Sequence, residues 1–183
     1  MKAFILIKAK IGTEEELVKS FFEIPEVNEV HGITGDHDFL VVMNTKEKDL
    51  VRFPAEKIVE VLNEKIRKME HILETKTVIP TYSEVKEGHN FELESLAKGF
   101  IYVKVKPGQE KNVMKELFKT TEIRETHMIP GEYDILTVVE VKKTLLPPHY
   151  PETITKIVMD KISKIRDVKG TDTIIPFSSS IKS

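Results

Sequence analysis

Apolar positions along this chain change their spacing every few residues, and each change marks an element. Residues 4–9 form a β-rich run that Gly12 closes. Thr13 stands where a helix cap belongs, ahead of Glu14, Glu15 and Glu16, the charge sign that a helix N-terminus favours. Leu17, Val18, Phe21 and Phe22 then make one helical stripe, ended by Pro25. Residues 27–33 and 39–43 read as a second and a third strand. Helical spacing returns at Ile58, Val61, Leu62, Ile66 and Met69, and residues 72–79 make a fourth strand stopped by Pro80. The order is β-α-β-β-α-β.

The same order follows again, 96 residues later and without a gap. "AFILIKAKIG" (3–12) falls on "GFIYVKVKPG" (99–108), "HGITGDHDFLVV" (31–42) on "HMIPGEYDILTV" (127–138), and "TKTVIP" (75–80) on "TDTIIP" (171–176). About a third of the aligned positions are identical, and most of the rest exchange apolar for apolar. An internal repeat of this kind decides the architecture. The second copy repeats the helical stripes with Val113, Met114, Leu117 and Phe118, then with Ile154, Ile157, Val158, Ile162 and Ile165. The expected domains are 1–83 and 98–183, each a ferredoxin-like α+β unit, with 84–97 as the connector. Phe91, Leu93 and Leu96 imply that the connector docks on something. In the second copy "LLPPHYP" (145–151) forces a stiff, extended approach to the second helix.

A sheet covered on one side only should alternate apolar with polar. The third strands do not, with Phe39, Leu40, Val41, Val42 and Met43 in one copy and Ile135, Leu136, Val138 and Val139 in the other; the first strand shows the same at Phe4, Ile5, Leu6 and Ile7. Two helices cover one face. Leaving about four large side chains per copy in water on the other face would forfeit on the order of 6–12 kcal/mol gross, at roughly 1.5–3 each. The simplest cover is the sheet of the other copy, which predicts an intramolecular pseudo-dimer of the dimeric α+β barrel type.

Composition narrows the classes. The 183 residues are 40% hydrophobic and 32% charged, which suits a soluble chain with a real core. A net charge of -2 argues against a surface built for phosphate backbones. There is no cysteine, so no disulfide or thiolate metal site, and with no export signal the expected location is the cytoplasm. One glutamine, no tryptophan and abundant Lys and Glu resemble the surface of a thermophile's protein.

The polar turn Gly35-Asp36-His37-Asp38 is the densest chemistry in the chain, and the repeat filters it. His37 aligns with Tyr133 and Asp36 with Glu132, so a metal site there would exist in one half only; neighbouring strand residues also point to opposite faces. His31, Gly35 and Asp38 survive, matched by His127, Gly131 and Asp134. Each Gly can supply a positive φ in a hairpin while each Asp ties down its own turn. Alternatively, the free N–H groups of the turn and the carboxylate together bind a zwitterion, through the strong, charge-assisted kind of hydrogen bond. His31 and His127 lie in phase with Val27 and Ile33, and with Ile123 and Ile129, which predicts packed, hydrogen-bonded histidines. "KGFIYVKV" (98–105) imitates an RNA-binding motif, but Ile101 and Val105 stand where that motif needs a small residue and an aromatic. No spacing marks a Ser-His-Asp set, a phosphate loop or an acid/base carboxylate pair, so an enzyme is not expected.

At "EVNEVHGITGDHDFLVV" and "IRETHMIPGEYDILTVV" the chain resembles the effector-binding (RAM) domain of the Lrp/AsnC transcription regulators. "GEYDI" matches that family closely and "GDHDF" more loosely, and a Thr-x-Thr ahead of the last strand fits at Thr75 and Thr77 and at Thr171 and Thr173. The resemblance implies a ferredoxin-like fold that pairs through its sheets, assembly into larger homo-oligomers, and amino acids bound near the Gly-x-x-Asp turn. It places the ligand at Gly35, Asp36, His37 and Asp38, at Gly131, Glu132, Tyr133 and Asp134, and at Thr77 and Thr173, with no cofactor and no metal. Those regulators carry an N-terminal helix-turn-helix, whereas here the first strand starts at residue 3. The expectation is a stand-alone sensor of a small-molecule effector, with a DNA-binding regulator as a partner and no direct contact with DNA or membrane. The competing reading is a small enzyme or haem protein of the dimeric α+β barrel type, with His127 or His149 as the axial ligand.

Overall fold

A computed structural model describes residues 1–45, 54–89, 91–146 and 148–182. Of the proline pair expected to stiffen the loop before the last helix, Pro147 lies outside the described residues. The chain divides into two compact units, one made of Met1–Ile79 with Pro176–Ser183 and one of Pro80–Ile175.

The first unit runs β1 (Lys2–Ala9), α1 (Glu14–Phe22), β2 (Val27–Gly32), β3 (Phe39–Asn44), α2 (Pro54–Val61) and β4 (Ile72–Val78). The second unit opens with β5 (Tyr82–Val85) and a single 3-10 turn (Leu93–Ser95). It continues through β6 (Leu96–Val105), α3 (Glu110–Phe118), β7 (Ile123–Met128), β8 (Ile135–Lys142), α4 (Tyr150–Ile157) and β9 (Val168–Ile174). The last strand, β10 (Ser178–Ile181), returns to the first unit. The fold is α+β, with two antiparallel five-stranded sheets in the orders β10-β2-β3-β1-β4 and β5-β7-β8-β6-β9. Without β10 and β5, each sheet is the ferredoxin-like order.

Each unit therefore carries an edge strand contributed by the segment that follows the other repeat. β10 pairs with β2 through Ser179↔His31, and β5 pairs with β7 through Ser83↔His127. The segment expected to be a connector thus supplies part of a strand at Glu84 and Val85, and the first two residues of another at Leu96 and Ala97, both buried. Covering the β2 and β7 edges removes rows of unpaired N–H and C=O groups that would otherwise invite another chain.

Helix-facing and opposite-facing side chains are both buried, as the strands without alternation demanded. Ile5, Ile7, Phe39, Val41 and Met43 join Leu17, Phe21, Val61 and Ile66 under the helices of the first unit. On the other phase Phe4 is 1% exposed, Leu40 0% and Val42 1%, so this face is as dry as the first.

Two local details depart from the helical and strand patterns. Thr13 sits at the N-cap of α1, but its hydroxyl donates to the Lys10 carbonyl at 2.7 Å and makes no cap hydrogen bond. Both second helices end in a π-helical turn, Leu62–Ile66 and Val158–Ile162, closed by Arg67 N–H to Leu62 C=O and Ser163 N–H to Val158 C=O at 2.8 Å each. The wider turn keeps Ile66 and Ile162 in the core after a run at ordinary helical spacing.

Candidate functional site

The Gly-x-x-Asp turn connects β2 to β3 in the first unit and β7 to β8 in the second. Gly35 has φ +113° and Gly131 φ +128°, a region that side-chain-bearing residues rarely enter. Between each glycine and its strand, the aspartate folds back onto the first strand of its unit. Asp38 Oδ2 accepts the Ala9 N–H at 2.8 Å, and Asp134 Oδ2 accepts the Val105 N–H at 2.7 Å. Those two amides lie at matching register breaks, Lys8/Ala9 and Lys104/Val105, where the ladder to the neighbouring strand slips. The backbone locks the same corner, since Asp38 N–H donates to Ile7 C=O at 2.8 Å and Ile33 N–H to Asp38 C=O at 2.9 Å. One carboxylate oxygen of each aspartate is thus committed to the fold, and the other keeps its capacity as an acceptor.

The remaining residues expected at the site separate. Asp36 and Glu132 are exposed. His37 is half-buried, with a buried Nε2 that has no hydrogen-bond partner among the described residues. Tyr133 packs on Tyr102, ring centroids 5.6 Å apart, and burial, Asp172 and Glu132 all hold its hydroxyl above the usual range. Thr77 pairs with Ile5 and Thr173 with Ile101, on strands that flank the first strand from the side away from the turn. The Thr77 hydroxyl is buried without a partner among the described residues. The structure does not bring these threonines to the turn.

A cavity of about 520 Å³ opens beside Asp38 in the first unit. Glu14, Glu15, Val18 and Lys19 of α1 form one side, and Gly32, Ile33, Asp38 and Phe39 of the β2–β3 corner form another. Phe177 and Ser178, at the start of the returning edge strand, close a third side. Of the residues anticipated from the motif, Asp38 lines this cavity; Gly32 and Phe177 were not anticipated. A Cβ on Gly32 would lie 2.4 Å from Ser178 Oγ and 2.8 Å from the Phe177 ring, so glycine is what admits this strand start. The pattern of small and apolar residues held no signal for it, because Phe177 reaches Gly32 from 145 positions away.

Histidines 31 and 127 are packed and hydrogen-bonded, as expected, but they face the side opposite to Val27 and Ile123. A register break between Val27 and Glu29, repeated at Ile123/Glu125, reverses the phase of the strand. His31 Nε2 meets Glu29 Oε2 at 2.9 Å and Nδ1 meets Ser179 Oγ at 2.9 Å; His127 repeats this with Glu125 at 2.9 Å and Ser83 at 2.8 Å. Both imidazoles are 0% exposed with both nitrogens engaged, which leaves His127 no free atom for a metal axial position. A serine, histidine and glutamate do come together in each unit, a distant serine joining a histidine and glutamate that are two positions apart.

A model of the Lrp/AsnC ligand binding domain matches residues 2–91. The chain is 33% identical to the solved structure of FFRP-DM1, covering 42% of this chain and 92% of that one, with a TM-score of 0.36. It is 41% identical over 49 residues to the HTH-type transcriptional regulator FL11 of Pyrococcus horikoshii, 27% of this chain and 32% of that protein. The chain spans 32% to 65% of the length of the curated relatives it matches first. Its fold is similar to that of the siroheme decarboxylase NirDL, at a TM-score of 0.64 over 98% of this chain and 72% of that one, with 11% identity.

Proposed function

Because this chain belongs to the Lrp/AsnC ligand binding domain family, we propose that it is a regulatory module that binds an amino acid as its effector and reports it to a DNA-binding regulator. The observation that carries this reading is the cavity beside Asp38, a 520 Å³ space of the size that takes a small molecule, walled by apolar side chains and edged by charges of both signs. A zwitterion needs an acceptor for its ammonium and a cation or amide for its carboxylate, and Asp38 and Lys19 line the same cavity from two of its sides. Gly35 and the backbone of residues 36–38 hold the Asp38 carboxylate at this corner; the second unit repeats the turn itself at Gly131 and Asp134.

The module itself does not contact DNA in this reading. Its net charge is -2, and Lys and Arg are dispersed among nearly equal numbers of Asp and Glu. Self-association of the chain and action in the cytoplasm belong to the same proposal. No helix among the described residues is long and apolar enough to cross a membrane. A haem-binding role gains no support from His127, whose two nitrogens are taken.

Isothermal titration with each of the twenty amino acids tests the reading. Binding to the wild-type chain that weakens in Asp38→Asn is the expected result. Asparagine keeps an oxygen to accept the Ala9 N–H but removes the charge that an ammonium needs. Absence of heat from all twenty would overturn it.

A further inference from the structure

The two repeats share the Gly-x-x-Asp turn, but the residues around it have diverged in one direction. We infer that each chain binds one effector, in the first unit, and that the corresponding place in the second unit is filled by its own side chains. The inference rests on the amino-acid-sensing reading and adds to it the stoichiometry, the residues that set it and the class of side chain accepted.

The second unit can be compared wall by wall at an offset of 96. Val18, half-buried on the cavity wall, corresponds to Met114, which is 1% exposed inside the helix-side core. Gly32, the floor, corresponds to Met128, which packs against that same core. The placement is consistent, since Met128 pairs with Ile135 and Gly32 with Phe39, so both face the helices. Two methionines therefore reach into the volume that one valine and one glycine leave open; flexible thioether side chains suit gap-filling of this kind. The charges differ too, because Glu15 corresponds to Lys111: two carboxylates beside Lys19 on the helix become one carboxylate, Glu110, beside Lys111 and Lys115. Phe177, the aromatic wall, corresponds to Thr81, whose amide and hydroxyl are spent on the Met128 carbonyl at 2.9 and 3.3 Å.

In the first unit these differences work together. Glycine at 32 lets the Phe177 ring sit over the strand end, and the ring is 65% exposed, a large apolar surface left facing the cavity mouth. Val18, Ile33, Phe39 and Phe177 offer contact for an apolar side chain. Glu15 and Asp38 supply acceptors for an ammonium, and Lys19 a donor for a carboxylate. Glu14 is partly engaged, accepting the Gly12 N–H at 3.2 Å. The class that fits is an L-amino acid with an apolar side chain, held by Phe177 from the far end of the chain. Gly32 and Phe177 are the specificity-determining residues.

Titration calorimetry on the full chain with L-leucine, L-isoleucine, L-valine, L-phenylalanine and L-methionine, against L-lysine and L-glutamate, decides it. The expected result is one site per chain for an apolar amino acid, loss of affinity by roughly tenfold or more in Val18→Trp, and no change in Asp134→Asn. Val18→Trp fills the cavity from the helix without touching Gly32, where a larger residue would displace the returning strand. Two sites per chain, or a loss in Asp134→Asn with none in Val18→Trp, overturns the single-site inference and leaves the sensing reading standing. Preference for lysine or glutamate overturns the apolar class. No heat from any of the twenty amino acids removes the sensing reading, and this inference with it.

Discussion

Nδ1 of His31 lies 2.9 Å from Oγ of Ser179, joining residues 148 positions apart in the chain. The second unit reproduces the contact between His127 and Ser83 at 2.8 Å over only 44 positions. Each bond fastens an edge strand to the sheet of the unit it completes. Because the imidazole is fully buried and also bonded to a glutamate, losing it strands a polar network rather than exposing one to water. Ser179→Ala should lower stability by about 1 kcal/mol, and His31→Ala by roughly 2–4 kcal/mol. Guanidinium unfolding curves check both, and equal small losses would show that the strand is held by its backbone pairing.

The aspartates of the turns are expected to matter for the fold independently of any effector. Asp134→Ala removes the acceptor for the Val105 N–H at the slipped ladder, which should cost roughly 1–3 kcal/mol. Asp134→Asn should recover most of that, since an amide oxygen accepts the same bond. Denaturant midpoints for the pair separate the lost acceptor from the lost charge.

Alkaline pH should destabilise the second unit through the buried phenol of Tyr102. Burial, and then the nearby Asp172 carboxylate, push the Tyr102 hydroxyl up to about 12. The unfolded chain gives up this proton near its ordinary pKa of 10, while the folded one keeps it. The stabilisation is therefore fully present below pH of about 10 and is lost between about 10 and about 12, amounting to roughly 2–3 kcal/mol. Stability curves of wild type and Tyr102→Phe should converge or cross over that window. Parallel curves up to pH 12 would count against the buried phenol as the cause.

A charged cluster peculiar to the second unit gives the largest expected effect. The Glu140 side chain is 1% exposed and meets His89 at 2.9 Å, with Lys98 and Arg124 each at 3.6 Å. The first repeat has Asn44 at this position and Lys2 and Asn28 opposite. Truncation would leave buried cations uncompensated, so Glu140→Ala should cost roughly 3–5 kcal/mol. Chemical denaturation measures it, and a loss below about 1 kcal/mol would mean that water reaches the cluster.

Much of the fold was legible because its signals are local. The glycine at 35 announces its positive φ, the run from Phe39 to Met43 announces two buried faces, and the repeat places every core helix twice. The misread details share one cause. Thr13 has the residue type of a cap, yet its hydroxyl finds the Lys10 carbonyl first. A register slip of one residue between Val27 and Glu29 turns His31 to the opposite face, and periodicity counted along the strand does not register such a slip. The candidate site was half legible: Asp38 stood out by its repetition, while Thr77 fitted a motif but lies on a strand away from the turn.

The duplicated β-α-β-β-α-β order, the two buried faces of each sheet, and the turn at which each aspartate sits are all legible along the chain. These follow from spacing and from backbone preferences that act over a few residues. That each sheet is completed by the strand following the other repeat, and that Phe177 closes a cavity over Gly32 where Met128 stands in the second unit, emerges from packing in three dimensions. Those outcomes depend on which side chains fill the space left by residues far away in the chain, and close packing, unlike periodicity, is a property of the volume rather than of the string.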